Sequence, residues 1–411
     1  MFIDFNHNAT INANNITQKV VEQKAQTVFK SDKDSFTHSV KINNSNSDYD
    51  NIKITKKSFG TTSKTNEKVY LYTIKNKNGS SVDLSTFGAT ITSIKVPDKN
   101  GKIKDVTQGY KDVIPYETAP VGHAGGTIGP CANKINNGKF VINNKEYNLE
   151  CNKDNGTTHC HGGSEGLDVK NWKAKELKDG VEFTYVKKDM ENGYPANVEM
   201  KVTYKFDNNN NLHIIYNAKS DNDTLLNLTN HTYFNLDGAE NTSENAVYNH
   251  YVKLPNSSKI TENNSKAIPT GKLLEVSGTP FDFSKTQRIG DVINSENEQI
   301  QIGSGFDHNY CVDNYDGKTL INVAEVYSPQ TGIKLGVKTN LPGFQFYTAN
   351  HLGKTTQPAG KDGNLYEKRS SFCVEPQFYP NAINTPEFEE KGILKAGEEY
   401  NREIQYSFSV E

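Results

Sequence analysis

The chain has 411 residues, 23% of them charged, with a formal net charge of −3 and a pI near 6.4. That balance offers no basic field for nucleic acid, and no apolar run approaches the ~18–20 residues of a membrane span. The length admits one large core or two smaller ones.

Residues 1–51 are rich in Asn, Ser, Lys and Asp, and their few apolar residues (Val20, Val21, Val28, Phe29) follow no sustained period. This predicts a low-complexity, disordered leader; a short helix near residues 16–30 would be marginal alone. The start has neither a basic n-region nor a long apolar h-region, so no secretory signal is expected.

From residue 52 to 411 strands dominate. Residues 139–142 and 145–149 flank Asn143-Asn144, a hairpin with φ-tolerant turn residues. Residues 181–186 alternate between apolar and polar. Residues 198–206 alternate too, 207–211 turn the chain, and 212–218 return. Helical periodicity is nearly absent, and Gly, Asn and Pro joints recur at short spacing. The pattern predicts an all-β antiparallel sandwich or barrel; no short internal repeat is visible.

Five cysteines (Cys131, Cys151, Cys160, Cys311, Cys373) are odd in number and irregularly spaced. They make no disulfide framework, and a reducing, cytoplasmic setting is expected. His159-Cys160-His161 is too small a ligand set for a metal site of the usual kind, so no metal is assigned. Asn230-His231-Thr232 is a glycosylation sequon by spelling; a glycan there would obstruct the candidate site, which also points inside the cell.

The run Asn230-His231-Thr232-Tyr233-Phe234-Asn235-Leu236 carries the strongest functional signal. Read as a strand, it places His231, Tyr233 and Asn235 on one face and Thr232 and Phe234 on the other. An imidazole, a phenol and an amide on one side suit a polar, multi-hydroxyl ligand. Two further runs share this pattern. Gln345 and Tyr347 lie on one face with Phe344 and Phe346 behind. Cys373, Glu375 and Gln377 lie on one face with Phe372 and Val374 behind. Pro376 has no N–H for a ladder, which predicts that Glu375 sits at a strand end or bulge. Trp172 is expected to be a core residue rather than a sugar platform.

From about residue 52 to the end, the chain resembles the aldose 1-epimerases. The matching runs come in the family's order: Phe87-Gly88-Ala89-Thr90, Gly126-Thr127-Ile128-Gly129, Ala132-Asn133, His161-Gly162-Gly163 and Gly166-Leu167-Asp168. Gly193-Tyr194-Pro195, the His231 run, Asp307-His308-Asn309-Tyr310, Pro342-Gly343-Phe344-Gln345 and Cys373-Val374-Glu375-Pro376-Gln377 follow. The resemblance implies a large β-supersandwich of the galactose mutarotase type. It implies His231 as general acid and Glu375 as general base, with Asn133, Lys134, His161, Asp307 and Gln345 as sugar-binding residues. The family's Gly-Arg-x-Ala-Asn-Arg reads Gly129-Pro130-Cys131-Ala132-Asn133-Lys134 here. Lys134 keeps the charge of an arginine without its rigid donor fork, in a chain with only three arginines (Arg288, Arg369, Arg402).

The implied reaction interconverts the α and β anomers of hexoses such as galactose and glucose by ring opening and reclosure. One acid and one base suffice, so no cofactor is expected. Unperturbed pKa values of about 4.3 for Glu and 6.5 for His would let an ionised Glu375 and a protonated His231 coexist near neutral pH. The expected partner is a small aldose, with no nucleic acid or membrane, acting on a monomer or weak homodimer. The alternative is a non-catalytic sugar-binding relative. A glycoside hydrolase would use two carboxylates and leave His231 without a role. A sugar-phosphate mutarotase would want an arginine clamp, and no matched run contains one.

Overall fold

A computed structural model describes residues 46–118, 122–353 and 357–411. The low-complexity leader through residue 45 lies outside the described residues. The described chain begins in a short 3-10 turn, Asn46–Tyr49. The Asn208 side chain donates to the carbonyls of Ser47 (3.3 Å) and Asp50 (3.0 Å), which fastens that turn to the 207–211 bend.

The architecture is all-β and antiparallel. The largest sheet has nine strands, ordered Lys173–Glu176, Gly180–Lys187, Val198–Phe206, Asn211–Ser220, Glu399–Val410, Ile333–Thr339, Ile321–Tyr327, Tyr251–Lys253 and Gln287–Arg288. The alternating run 198–206 pairs with 211–220 from Val198↔Ser220 to Phe206↔Leu212, as its pattern predicts. A five-stranded sheet runs Pro269–Glu275, Lys259–Asn263, Asp307–Cys311, Gly343–Tyr347, Cys373–Gln377. Another joins the strands between Lys53 and Asp105 in chain order. The hairpin forms as expected: Lys139–Ile142 pairs with Lys145–Asn148, and Asn143 and Asn144 take φ of 51° and 60°. Both are left-handed, which the tight turn demands and Asn tolerates.

Period-2 alternation decides what is inside. Val202, Tyr204 and Phe206, Leu212, Ile214 and Tyr216, and Ile404, Tyr406 and Phe408 point from the large sheet into one contiguous core. Tyr310, Phe344, Phe346 and Val374 meet them from the five-stranded sheet containing the Glu375 strand. Trp172 belongs to this core at 2% exposure, and its indole N–H donates to the Leu167 carbonyl (3.0 Å). No helix among the described residues is long and apolar enough to cross a membrane.

Two sequence expectations need correction. Pro376 stands inside the strand Cys373–Gln377, opposite Phe344, rather than at an end or bulge. The reason is that this strand is the sheet's edge, where a missing donor leaves no ladder partner unsatisfied. The His231 run is not one strand either. Thr229–Asn230 and Tyr233–Phe234 are separate two-residue bridges to different partners, with His231 and Thr232 between them.

Candidate active site

The outward residues of the five-stranded sheet form the floor of a cleft of about 560 Å³, lined by Asp307, Gln345, Tyr347 and Glu375 among others. Neighbouring backbone register puts them side by side: Asp307 opposite Tyr347 and Gln345 opposite Glu375. The Gln345 amide donates to Asp307 Oδ1 (2.6 Å). Each apolar neighbour in these strands faces the core, so one set of alternating residues builds both the hydrophobic packing and the polar floor.

The walls come from loops. His231 is held by its backbone: its N–H donates to the Gly126 carbonyl (3.1 Å) and its carbonyl accepts from Gly125 N–H (2.8 Å). Its ring stacks on Tyr233, centroids 4.9 Å apart at 28°. His161 and Asn133 brace each other. His161 N–H donates to the Asn133 carbonyl (3.0 Å), and Asn133 N–H donates to His161 Nδ1 (3.2 Å). Because His161 Nδ1 accepts, the neutral ring carries its proton on Nε2. His123, Asn133 and His161 all take left-handed backbone conformations, with φ of 50°, 62° and 53°, conformations held by surrounding structure and concentrated at functional sites.

The structure therefore brings His231, Glu375, Asp307, Gln345, His161, Asn133 and Lys134 to one cleft. His231 Nε2 lies 3.6 Å from Glu375 Oε2, and Glu375 Oε2 is buried with no hydrogen-bond partner among the described residues. Lys134 reaches the wall but commits its ammonium to the carbonyls of Lys266 (3.3 Å) and Ala267 (3.0 Å). Asn235 does not join them: it is fully buried and donates to the carbonyls of Asn241 (2.8 Å) and Ser370 (2.9 Å). The short bridge ends at Phe234, so the alternation that brings His231 and Tyr233 to the cleft does not extend to Asn235.

Burial reverses the protonation expected from unperturbed values. Desolvation pushes the Glu375 carboxyl well above the usual carboxylate range, and the Asp307 charge adds to the shift. Desolvation also drives His231 down to about 3, with His123 as the next contributor. The free pair thus holds its proton on Glu375 and leaves His231 neutral. Asp307 moves the other way. Burial opposes its charge, but the Lys134 and Lys153 ammonium groups and the Gln345 donor outweigh it and lower its pKa.

Sequence reasoning missed several cleft residues, His123 and Lys153 among them. His123 belongs to no residue pattern that singles it out, and Lys153 is one lysine among 43. His159, considered above with Cys160 and His161 as a metal cluster, is otherwise engaged. Its Nδ1 lies 2.6 Å from the Glu150 carbonyl and its Nε2 2.7 Å from Tyr194 Oη. Among the described residues, His231, Cys373 and Glu375 each offer a ligand atom within 4.8 Å of the others; two of the three are the residues expected as acid and base.

The loops and one sheet face of this β-sandwich thus pair an imidazole with a carboxyl in a polar cleft. The profile of the aldose 1-epimerase family matches residues 70–407. Galactose mutarotase of Sus scrofa is 38% identical over 330 residues, 80% of this chain and 91% of that protein. Aldose 1-epimerase of Haemophilus influenzae is 34% identical over 340 residues, 82% and 95% of the two chains. The crystal structure of an aldose epimerase homologue from C. elegans superimposes with a TM-score of 0.73 at 30% identity, covering 83% of this chain and 98% of that one. This chain belongs to the aldose 1-epimerase family.

Proposed function

We propose that the protein interconverts the α and β anomers of hexoses such as galactose and glucose, with Glu375 as base and His231 as acid. The observation that carries this reading is the 3.6 Å approach of His231 Nε2 to the unpartnered Glu375 Oε2 in the cleft. Glu375 takes the proton of the C1 hydroxyl while His231 gives one to the ring oxygen. The C1–O5 bond opens, the aldehyde rotates about C1–C2, and the ring closes on its other face with the two roles exchanged. No electron or group leaves, so one proton moving within the pair balances the reaction. Asp307, which favours its charged form, accepts from sugar hydroxyls, and Gln345, His161 and Asn133 supply further contacts.

The resting pair holds the proton count that this mechanism needs, although on the other partner. A sugar hydroxyl donating to Glu375 Oε2 supplies the hydrogen bond that the buried oxygen lacks. That stabilises the carboxylate, and the proton moves to His231. Both groups belong to one coupled titration. Adding a second proton leaves no base; removing the first leaves no acid. Because burial lowers His231 to about 3, the acid limb of kcat/KM lies well below the ordinary His range near 6.5. The alkaline limb marks loss of the pair's proton, above the ordinary carboxylate range. A limb centred near pH 6.5 that disappears in His231→Asn would contradict this assignment.

Polarimetry tests the function itself. Purified protein speeds the relaxation of freshly dissolved α-D-galactose or α-D-glucose; galactose binding with no change in that rate would replace the enzyme with a sugar-binding relative. Lys134→Arg lowers KM more than it raises kcat. The guanidinium can keep the Lys266 and Ala267 carbonyls and still present spare donors to the sugar, in ground and transition states alike. A kcat gain at unchanged KM would place the added contact in the transition state alone. The five cysteines are all unpaired, which supports a reducing, cytoplasmic setting.

A further inference from the structure

Three of the four histidines lining the cleft form a cluster. The His123 ring lies 4.7 Å from His161 and 5.9 Å from His231, and His161 lies 5.4 Å from His231. The mechanism uses His231 and the sugar site uses His161, but His123 has no role in either. Its loop is nevertheless the one that holds His231, since Gly125 and Gly126 make both backbone bonds to that residue.

His123 is braced from behind. Its Nδ1 lies 2.7 Å from Asp168 Oδ2, and the Asp168 side chain is 6% exposed. A carboxylate only accepts, so Nδ1 carries the hydrogen and the ring orientation is fixed. Two glycines clear the space for this pair. A Cβ at Gly126 would lie 2.7 Å from Asp168 Cβ, and one at Gly166 would lie 2.8 Å from Asp168 Oδ1. The Gly166-Leu167-Asp168 run, prominent in the sequence but without a chemical role so far, thus exists in part to hold an imidazole. The opposite ring nitrogen, Nε2, has no protein partner among the described residues, and the ring lines the cleft with 19% of the side chain exposed.

We propose that His123, oriented by Asp168, is a sugar-contacting residue whose Nε2 hydrogen-bonds a hydroxyl on the C4–C6 side of the aldose and so sets substrate preference. This rests on the anomer-exchange reading above. With the C1 hydroxyl on Glu375 and the ring oxygen on His231, the atoms next past the ring oxygen are C5, its C6 hydroxymethyl and C4. The His123 and His161 rings, centred 5.9 and 5.4 Å from His231, are within reach of that part of a sugar so bound. A neutral His123 accepts from a hydroxyl there; a protonated one donates to it. Asp168 touches no substrate and is a positioning residue.

The test compares wild type and His123→Phe on galactose, its C4 epimer glucose and 6-deoxygalactose. Phe keeps an aromatic ring in the cluster and removes both nitrogens. His123→Phe lowers kcat/KM for galactose by about tenfold, the scale of one lost hydrogen bond in a site built for it. It leaves nearly unchanged the analogue that lacks the contacted hydroxyl: 6-deoxygalactose if that is O6, glucose if it is the axial O4. Asp168→Asn gives a smaller loss with the same substrate ranking. An equal loss on all three sugars, or none on any, overturns the proposal. If His123→Phe does not fold because Asp168 is left as an unpaired buried charge, the double variant His123→Phe/Asp168→Asn removes that charge and carries the same comparison. Should wild type leave galactose at its buffer rate, the anomer-exchange reading has failed. The His123 contact is then read from calorimetric affinities for the same three sugars, with the same ranking required.

Discussion

Glu375→Gln lowers kcat for galactose mutarotation by about 10³–10⁴-fold, the upper part of the range for one positioned acid–base group. The substitution is nearly isosteric, and residue 375 is 1% exposed in the floor of the cleft, so shape and binding survive. What disappears is the acceptor for the C1 hydroxyl proton, because an amide oxygen is far too weakly basic to hold it. The pair also loses the proton that Glu375 carries at rest, since burial and the Asp307 charge keep that carboxyl protonated beyond the usual range. KM changes little, because the hydroxyl can still donate to the amide oxygen. Polarimetry at saturating sugar measures the effect. A variant within tenfold of wild type would move the base elsewhere, with Asp307 the nearest candidate.

His231→Asn costs about 10²–10³-fold in kcat. Asn still offers a donor to the ring oxygen, so some polarisation remains, but it cannot release a proton and recover it. The imidazole is difficult to replace from nearby. His161 is itself held neutral, its pKa depressed by burial and by the His123 and His231 rings. Tyr233, stacked on His231, is pushed well above the usual phenol range by its own burial. With the acid gone, the low-pH limb assigned to His231 disappears from the residual activity. Persistence of that limb would show that another group donates.

Much of this was legible in the sequence, and the parts that were not share a cause. Period-2 alternation placed residues 198–206 and 212–218 correctly because one face of each strand is packed and a register slip would expose it. Asn143-Asn144 marked its turn because few side chains accept positive φ at two consecutive positions. The same alternation separated Glu375 from Val374 and Gln345 from Phe346. It failed past Phe234, where the short bridge ends and Asn235 goes into the interior. Pro376 was assigned to an irregularity because sequence does not reveal which strand is the edge. Depth was the larger omission: nothing in a residue string shows how dry a site will be, so ordinary pKa values were assumed where burial reverses them. His123 escaped for a related reason. Its partner Asp168 is distant in sequence, and only folding reveals that the two meet.

The central claim is that the His231–Glu375 pair performs the chemistry, and anomer exchange at equilibrium tests it without relying on initial rates. NMR magnetisation transfer between α- and β-galactose is measured with wild type and with the double variant Glu375→Gln/His231→Asn, each first shown by calorimetry to bind galactose. Wild type raises the exchange rate far above that of buffer. The double variant returns it to within a small factor of the buffer rate and is no worse than Glu375→Gln alone, because residues that act as a unit lose their effect together. If the double variant bound galactose and kept a large share of the wild-type exchange rate, the acid and the base would have to be other groups, and the account would be wrong.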